Sequence, residues 1–319
     1  TDLRLLNDAR EKTEEAIDQL HEPLIGTRKK PRTYRKKARK EYLKVAKKKR
    51  LSKKKLRKAI GKQLSYVRRN LVHVDKMLDS GDVSLAQLDR QSYRKLLVVQ
   101  ELYRQQKEMH ENRSKSIPDR IVNIAQPHIR PIVRGKAGAS TEFGAKVSIS
   151  LVDSHAFVDR IGWDNYNESV DLIGQIEKYR QRSGCYPGSV HADKLYRNRK
   201  NLRYCKAKGI RLSGPPLGRP PKNKEKRKED LKQAYEDELV RNAVEGKFGQ
   251  GKRGYGLALI MNKLAGTSET AIMMSFLVMN LEEALKRALL FLRLVCILPM
   301  RRGLLQCLER NRIRFSFGV

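Results

Sequence analysis

Residues 144–163 read GAKVSISLV, DSH and AFVDRIGW. Their alternating apolar positions predict two strands, 144–152 and 156–163, and Asp153-Ser154-His155 predicts the hairpin turn between them. Upstream of Ile117-Pro118 the apolar residues recur every three or four positions, which predicts helices; past that point the period shortens to two. Two further short strands are expected at Arg120–Ala125 (RIVNIA) and Arg130–Arg134 (RPIVR). Downstream, Tyr166–Arg182 reads as a helix with Asn167 as N-cap and Ile173, Ile176 and Tyr179 facing inward. Gly184–Gly188 turns, Ser189–Leu195 (SVHADKL) is a strand, Arg197–Lys208 a helix closed by Gly209, and Ile210–Ser213 another strand. A rigid linker, Gly214–Pro221, precedes a basic run at Lys222–Lys228, then helices over Glu229–Lys263 and Ser268–Leu292. Strand–helix alternation after a hairpin predicts an α/β fold, a mixed sheet with flanking helices.

The first 115 residues are different in kind. Leu3, Leu5, Leu6, Ala9, Ala16, Ile17 and Leu20 make the apolar face of a first helix; Pro23, Gly26 and Pro31 mark a linker; Tyr34–Met77 and Ser84–Glu111 complete an all-helical region. Between Arg28 and Arg69 stand 22 Lys/Arg against one acid, Glu41, so these 42 residues supply +21 of the chain's +35. The densest runs are Lys47-Lys48-Lys49-Arg50 and Lys53-Lys54-Lys55. They are interleaved with Leu43, Val45, Leu51, Leu56, Ile60 and Leu64 at helical spacing. Charge of this density on helices displaces counterions from nucleic acid and predicts salt-dependent DNA binding. A solvated helix face or a localisation-type run is the plainer reading. An anionic membrane surface is the lesser alternative, because the apolar stripe carries no Trp or Phe.

Composition narrows the rest. With 39% hydrophobic residues in 319 the chain can bury a core, and a segment such as Thr270–Leu281 excludes wholesale disorder. The longest charge-free apolar runs are about a dozen residues, short of the roughly 18 a membrane span requires. The opening TDLRLLNDAREKTEEAIDQL is an acidic amphipathic pattern, so a signal peptide is not expected. Cys185, Cys205, Cys296 and Cys307 form no CxxC and have no His at ligand spacing, so neither zinc nor a disulfide framework is expected; a reducing cytoplasm fits. The cationic, apolar Phe291–Val319 reads as a closing helix and tail, with an oligomer contact as one use for it.

Two stretches carry chemistry. In His191-Ala192-Asp193-Lys194-Leu195-Tyr196 an acid ends a short strand just before a helix, where open α/β sheets bind ligands and where helix N-caps also sit. In Arg241–Lys252 (RNAVEGKFGQGK), Arg241, Glu245 and Lys252 fall within roughly 40° of one another on a helix. That is either an exposed salt-bridge ladder or a metal-binding carboxylate between phosphate-holding cations. Gly246-x4-Gly251-Lys252 half-matches a phosphate-binding P-loop. However, Arg253 stands where Ser or Thr must hold magnesium and a polar helix precedes the motif, which excludes an NTPase.

VHADKLYRNRKNLRYCKAKGIRLSGPPLGRPP and VRNAVEGKFGQGKRGYGL together resemble the catalytic domain of bacterial insertion-sequence transposases of the DDE type. Arg241, Glu245 and Lys252 match the R-x3-E-x6-K spacing around that family's last catalytic acid, and Asp193 matches its second; Glu238 stands where the signature has Tyr. The resemblance implies an RNase-H-like sheet over 116–292 in which three carboxylates bind two Mg²⁺ or Mn²⁺ ions for in-line phosphoryl displacement. It implies Asp193 and Glu245 as catalytic metal ligands, and Arg241 and Lys252 on DNA phosphate. Residues 1–115 become a basic helical insertion that contacts transposon ends or target DNA, and 293–319 a tail. No small-molecule substrate is implied, and the setting is the bacterial nucleoid. The family's first catalytic Asp lies upstream of the segment matching Thr1–Leu20; Asp2, Asp8 and Asp153 are poor substitutes. The expectation is a C-terminal part of a transposase, defective alone. A non-catalytic nucleic-acid-binding protein is the alternative.

Overall fold

The computed structural model describes residues 2–133, 141–214 and 223–293, together with Val295. The chain divides into two units: residues up to Lys146 with 162–165 and 263–265, and residues 147–161, 166–262 and 266 onward. The linker at 215–221, Cys296, Cys307 and the tail beyond Val295 lie outside the described residues.

The first unit is built by the helical periodicity of its sequence. Helix α1 (Asp2–His21) buries Leu6, Ala9, Ala16, Ile17 and Leu20 completely, against Val67 and Val74 of α3 (Lys53–Asp79) and Val99 and Leu102 of α4 (Arg90–Glu111). Arg10, buried at that seam, is answered by Glu14 at 2.6 Å and Asn7 at 2.9 Å, and Asn70 reaches Thr13 Oγ1 at 2.9 Å. Such pairing is what lets polar groups stay inside. Helix α2 (Arg35–Ala46) is tied to α1 by the two-pronged Arg35–Asp18 bond at 2.9 and 2.6 Å. Ser52 caps α3, and Asp89 caps α4 by accepting from the Gln91 and Ser92 amides.

Residues 120–125, expected as a strand, are irregular chain. Ile121 and Ile124 pack on the helical core, and the Ile121 amide donates to Gln105 Oε1 at 2.9 Å. A side chain of α4 thus replaces the ladder a strand would need. The strand expected at 130–134 is present as β1 (Pro131–Val133), paired antiparallel with an unanticipated β2 (Thr141–Phe143).

In the second unit β3 (Lys146–Val152) and β4 (His155–Gly162) form the expected hairpin. Asp153 and Ser154 take φ of +48° and +67°, the left-handed pair that a two-residue hairpin turn demands. Asn167 caps a short 3₁₀ turn (Glu168–Val170), and α5 (Leu172–Ser183) follows, burying Leu172 and Ile176 while Ile173 and Tyr179 stay half-buried. Strand β5 (Ser189–Val190) runs parallel to β6 (Arg211–Leu212), with α6 (Arg199–Ala207) as the crossover. Leu172, Ile176, Cys205, Ile210 and Leu212 form its core. β5 is shorter than expected, because from Lys194 the chain coils into a 3₁₀ turn.

Two long helices complete the unit. Asn223 starts α7 (Lys224–Gly254) by accepting from the Glu225 amide at 2.9 Å, and α8 (Ala265–Leu292) follows. Gly251 sits where they approach: a Cβ there would stand 3.4 Å from Met279 Sδ of α8 and would clash with Leu257 of the connection. Phe276 of α8 meets Phe248 of α7 edge-on at 5.8 Å. The Asn280 amide bonds both backbone groups of Ala156 in β4, at 2.8 and 2.7 Å, as a neighbouring strand would. Among the described residues the strands form three separate two-stranded sheets, so the fold is mixed α/β and helix-rich. No described helix is long and apolar enough to cross a membrane.

Candidate functional site

Helix α7 is fixed to the β5–β6 pair by one buried carboxylate. Asp237, 5% exposed, takes both guanidinium arms of Arg211 at 2.8 Å, Gln233 at 3.2 Å, and has His191 Nδ1 at 3.3 Å. The Arg211 hydrogen bonds, foremost, hold the Asp237 carboxyl below the usual carboxylate range. His191 in turn meets Ser189 Oγ at 3.0 Å through Nε2. Arg197 closes the same corner from the other side. It donates to the Leu212 and Ser213 carbonyls at 2.6 and 2.9 Å, and burial lowers its pKa. Tyr196 is pushed up to about 12, chiefly by burial and then by the charges of Glu168 and Asp171.

On this frame the predicted residues take their places. Asp193 is exposed and caps the 3₁₀ turn Lys194–Tyr196, one oxygen accepting from the Lys194 amide at 2.6 Å. Its capping geometry is therefore the plainer of the two anticipated ones. One helical turn beyond Asp237, Arg241 bonds Glu245 at 2.7 Å and lies 3.8 Å from Glu238, so the anticipated ladder also exists. Yet the Arg241 guanidinium is held above its ordinary pKa first by the Glu245 hydrogen bond, then by the charges of Glu245, Asp193 and Glu238. Of Asp193 and Glu245, Arg241 pairs directly with Glu245 alone, and the charge of Asp193 acts on it without a hydrogen bond or ion pair among the described residues. The remaining oxygen of each accepts no hydrogen bond among the described residues. Lys252 is exposed two turns further along α7 and makes no ion pair among the described residues. The GxxxxGK stretch is helix throughout, which removes the P-loop reading.

Asp193 and Glu245 offer hard carboxylate oxygens, the donor type that Mg²⁺ and Mn²⁺ take. Among the described residues no group of three His, Cys, Asp or Glu converges as a metal site. Sequence reasoning missed Asp237, although it lies four residues before Arg241 on the same helical face. It also missed Lys247, a buried ammonium that donates to the Ser154 carbonyl at 2.9 Å and ties α7 to the hairpin turn.

A second candidate surface lies in the first unit. Lys47, Lys48, Lys49 and Arg50 occupy the connection between α2 and α3, and Lys53, Lys54 and Lys55 the first turn of α3; all seven are exposed. No ion pair among the described residues engages them, in contrast to Lys62, which meets Glu41 at 2.9 Å. Cations at a helix N-terminus oppose the helix dipole, so this turn favours an anion in front of it.

The site is thus an acidic and basic patch on a mixed α/β scaffold. Residues 190–282 match the family model described as a transposase DDE domain, a stretch that contains Asp193, Asp237, Arg241, Glu245 and Lys252. Over this stretch the chain is similar to transposases of the DDE type, a likeness that supports a function in transposition generally. Proteins of that family act on DNA and generally use a divalent metal. No curated protein and no solved structure matches the chain.

Proposed function

We propose that the chain serves metal-dependent phosphoryl transfer at insertion-sequence ends, cutting and joining DNA strands from an RNase-H-like core over 116–292. Asp193 and Glu245 would hold Mg²⁺ or Mn²⁺; bound there, the ion supplies Lewis-acid activation of the attacking and leaving oxygens. The observation that supports this reading is the match of residues 190–282, which hold Asp193, Arg241, Glu245 and Lys252, with the transposase DDE domain.

The chain's own groups have separable tasks. Asp237, through Arg211, fixes the rotation of α7 and hence where Glu245 points. Arg241 neutralises Glu245 and can turn toward a phosphate when that carboxylate is otherwise neutralised. Lys252 is free to meet the DNA backbone further along. Lys47–Arg50 and Lys53–Lys55 bind DNA without reading its bases, since lysine contacts to phosphate position the duplex and carry no sequence information. The exposure of both acids suits a substrate as large as a duplex. DNA association would place the protein on the nucleoid.

The test uses protein expressed from the whole locus, including any segment encoded upstream, and DNA bearing the element's own ends. Wild type should cleave with Mg²⁺ and stop with chelator. Glu245→Gln should abolish cleavage while changing DNA affinity less than about twofold, since one exposed carboxylate contributes little to a phosphate-dominated interface. The unengaged cations of the first unit favour a second reading, a non-catalytic DNA-binding protein. Under it neither variant nor wild type cleaves, and Glu245→Gln changes nothing.

A further inference from the structure

Helix α8 is apolar on two opposite sides. Ile272, Phe276 and Met279, each at most 3% exposed, face the rest of the unit. At 100° per residue the side roughly 180° away carries Met274, Val278, Leu281, Leu285 and Leu292, with Ala288 before the last. Successive members are four, three, four, three and four residues apart. That is the 3.5-residue period of a helix–helix seam, narrower than the stripe of a helix docked in a globular core. The five large side chains are 47–60% exposed.

We propose that this stripe pairs with the same stripe of a second copy of the chain. A seam of this period is complementary to itself, because each residue can sit in the hole between neighbours four and three apart on the facing helix. With flanking Met273, Leu277 and Leu289, also about half exposed, the stripe presents on the order of 800 Å² of apolar surface per copy. That is of the same order as the roughly 800 Å² each partner buries in a stable interface. Charge points the same way. Copies that carry +35 each repel over most of their surfaces, but Ala265–Leu292 holds three acids and two bases, none of them in the stripe. Two copies meet there at the least electrostatic cost. The pairing stands on α8 alone and is independent of the phosphoryl-transfer reading.

Sedimentation velocity of the full chain, from about 1 to 100 µM, tests it. The wild type should sediment as a dimer at the upper end, and Leu281→Lys/Leu285→Lys as a monomer with the same helical circular dichroism. Should that variant fail to fold, Leu285→Cys treated with a bismaleimide gives a second readout. The position is close to the middle of the stripe, within reach of the partner's stripe in either orientation. A dimer-mass band absent from the unsubstituted chain supports the pairing. A wild type monomeric throughout, or a dimer that survives both lysines, overturns it. So does an introduced cysteine that links within one chain to Cys296 or Cys307, which would mean that the chain's own C-terminal residues cover the stripe.

Discussion

Glu245 is held at 2.7 Å by Arg241, yet its side chain is 67% exposed. An exposed pair four residues apart on a helix stabilises by only about 0.3–0.5 kcal/mol. The Glu245→Gln variant should therefore melt within a degree or two of wild type, and any loss of cleavage belongs to chemistry, not to unfolding. Asp193 and Glu245 stand out in the sequence because residue type, order and spacing coincide with a known motif, and their catalytic role is the proposal made above. Asp237 does not. Its partner Arg211 is 26 residues away, across a linker that periodicity cannot bridge, so on α7 it looks like one more acid in a ladder of exposed charge. Lys247 was hidden for a similar reason. A lysine in a basic, glycine-rich stretch reads as solvated, and only the hairpin turn packed over it makes it a buried donor.

Asp237 sets the position of α7 as an element. Its side chain is 6% exposed and that of Arg211 45%, so solvent screens part of the interaction, and Asp237→Asn should destabilise the protein by about 1–2 kcal/mol at neutral pH. The folded-state pKa is depressed, so the contribution is complete above the unfolded value near 4 and is lost as the pH falls through the folded one. Thermal melts of wild type and variant should stay separated above about pH 5, begin to approach below about pH 4, and converge only as the pH falls through the lowered folded value. A gap that persists at low pH would place the effect elsewhere. Other elements show what periodicity can and cannot give. The β3–β4 hairpin was readable because alternation and a two-residue turn agree. RIVNIA alternates loosely enough to pass for a strand, but Ile121 and Ile124 are three apart and lie on a helical core. The sequence overextends β5 because SVHADKL alternates around Val190 and ends on Leu195, while the capping Asp193 turns the chain into a 3₁₀ turn at Lys194.

Across the whole molecule the charge is uneven, and so is its use. The helical unit carries a dense cationic surface whose foremost residues have no acid among the described ones, and the α/β unit carries the matched stretch. If all seven of Lys47–Arg50 and Lys53–Lys55 touch phosphate, their replacement by alanine should flatten the slope of log affinity against log salt by about six. The slope should fall similarly for any duplex sequence; an effect confined to one sequence would mean base reading instead. This division was visible from composition before any fold was known. The separation of the strands into three pairs was not, because pairing partners far apart in sequence leave no local signature.

The connection between α2 and α3 is six residues long, exposed, irregular, and holds four successive basic side chains. A trypsin-like protease should cut there, and bound DNA should shield it. The cut would not release anything. α1 and α3 bury each other's apolar faces, and Arg35 ties α2 to α1, so the two pieces should remain a single particle in native buffer and part only in detergent.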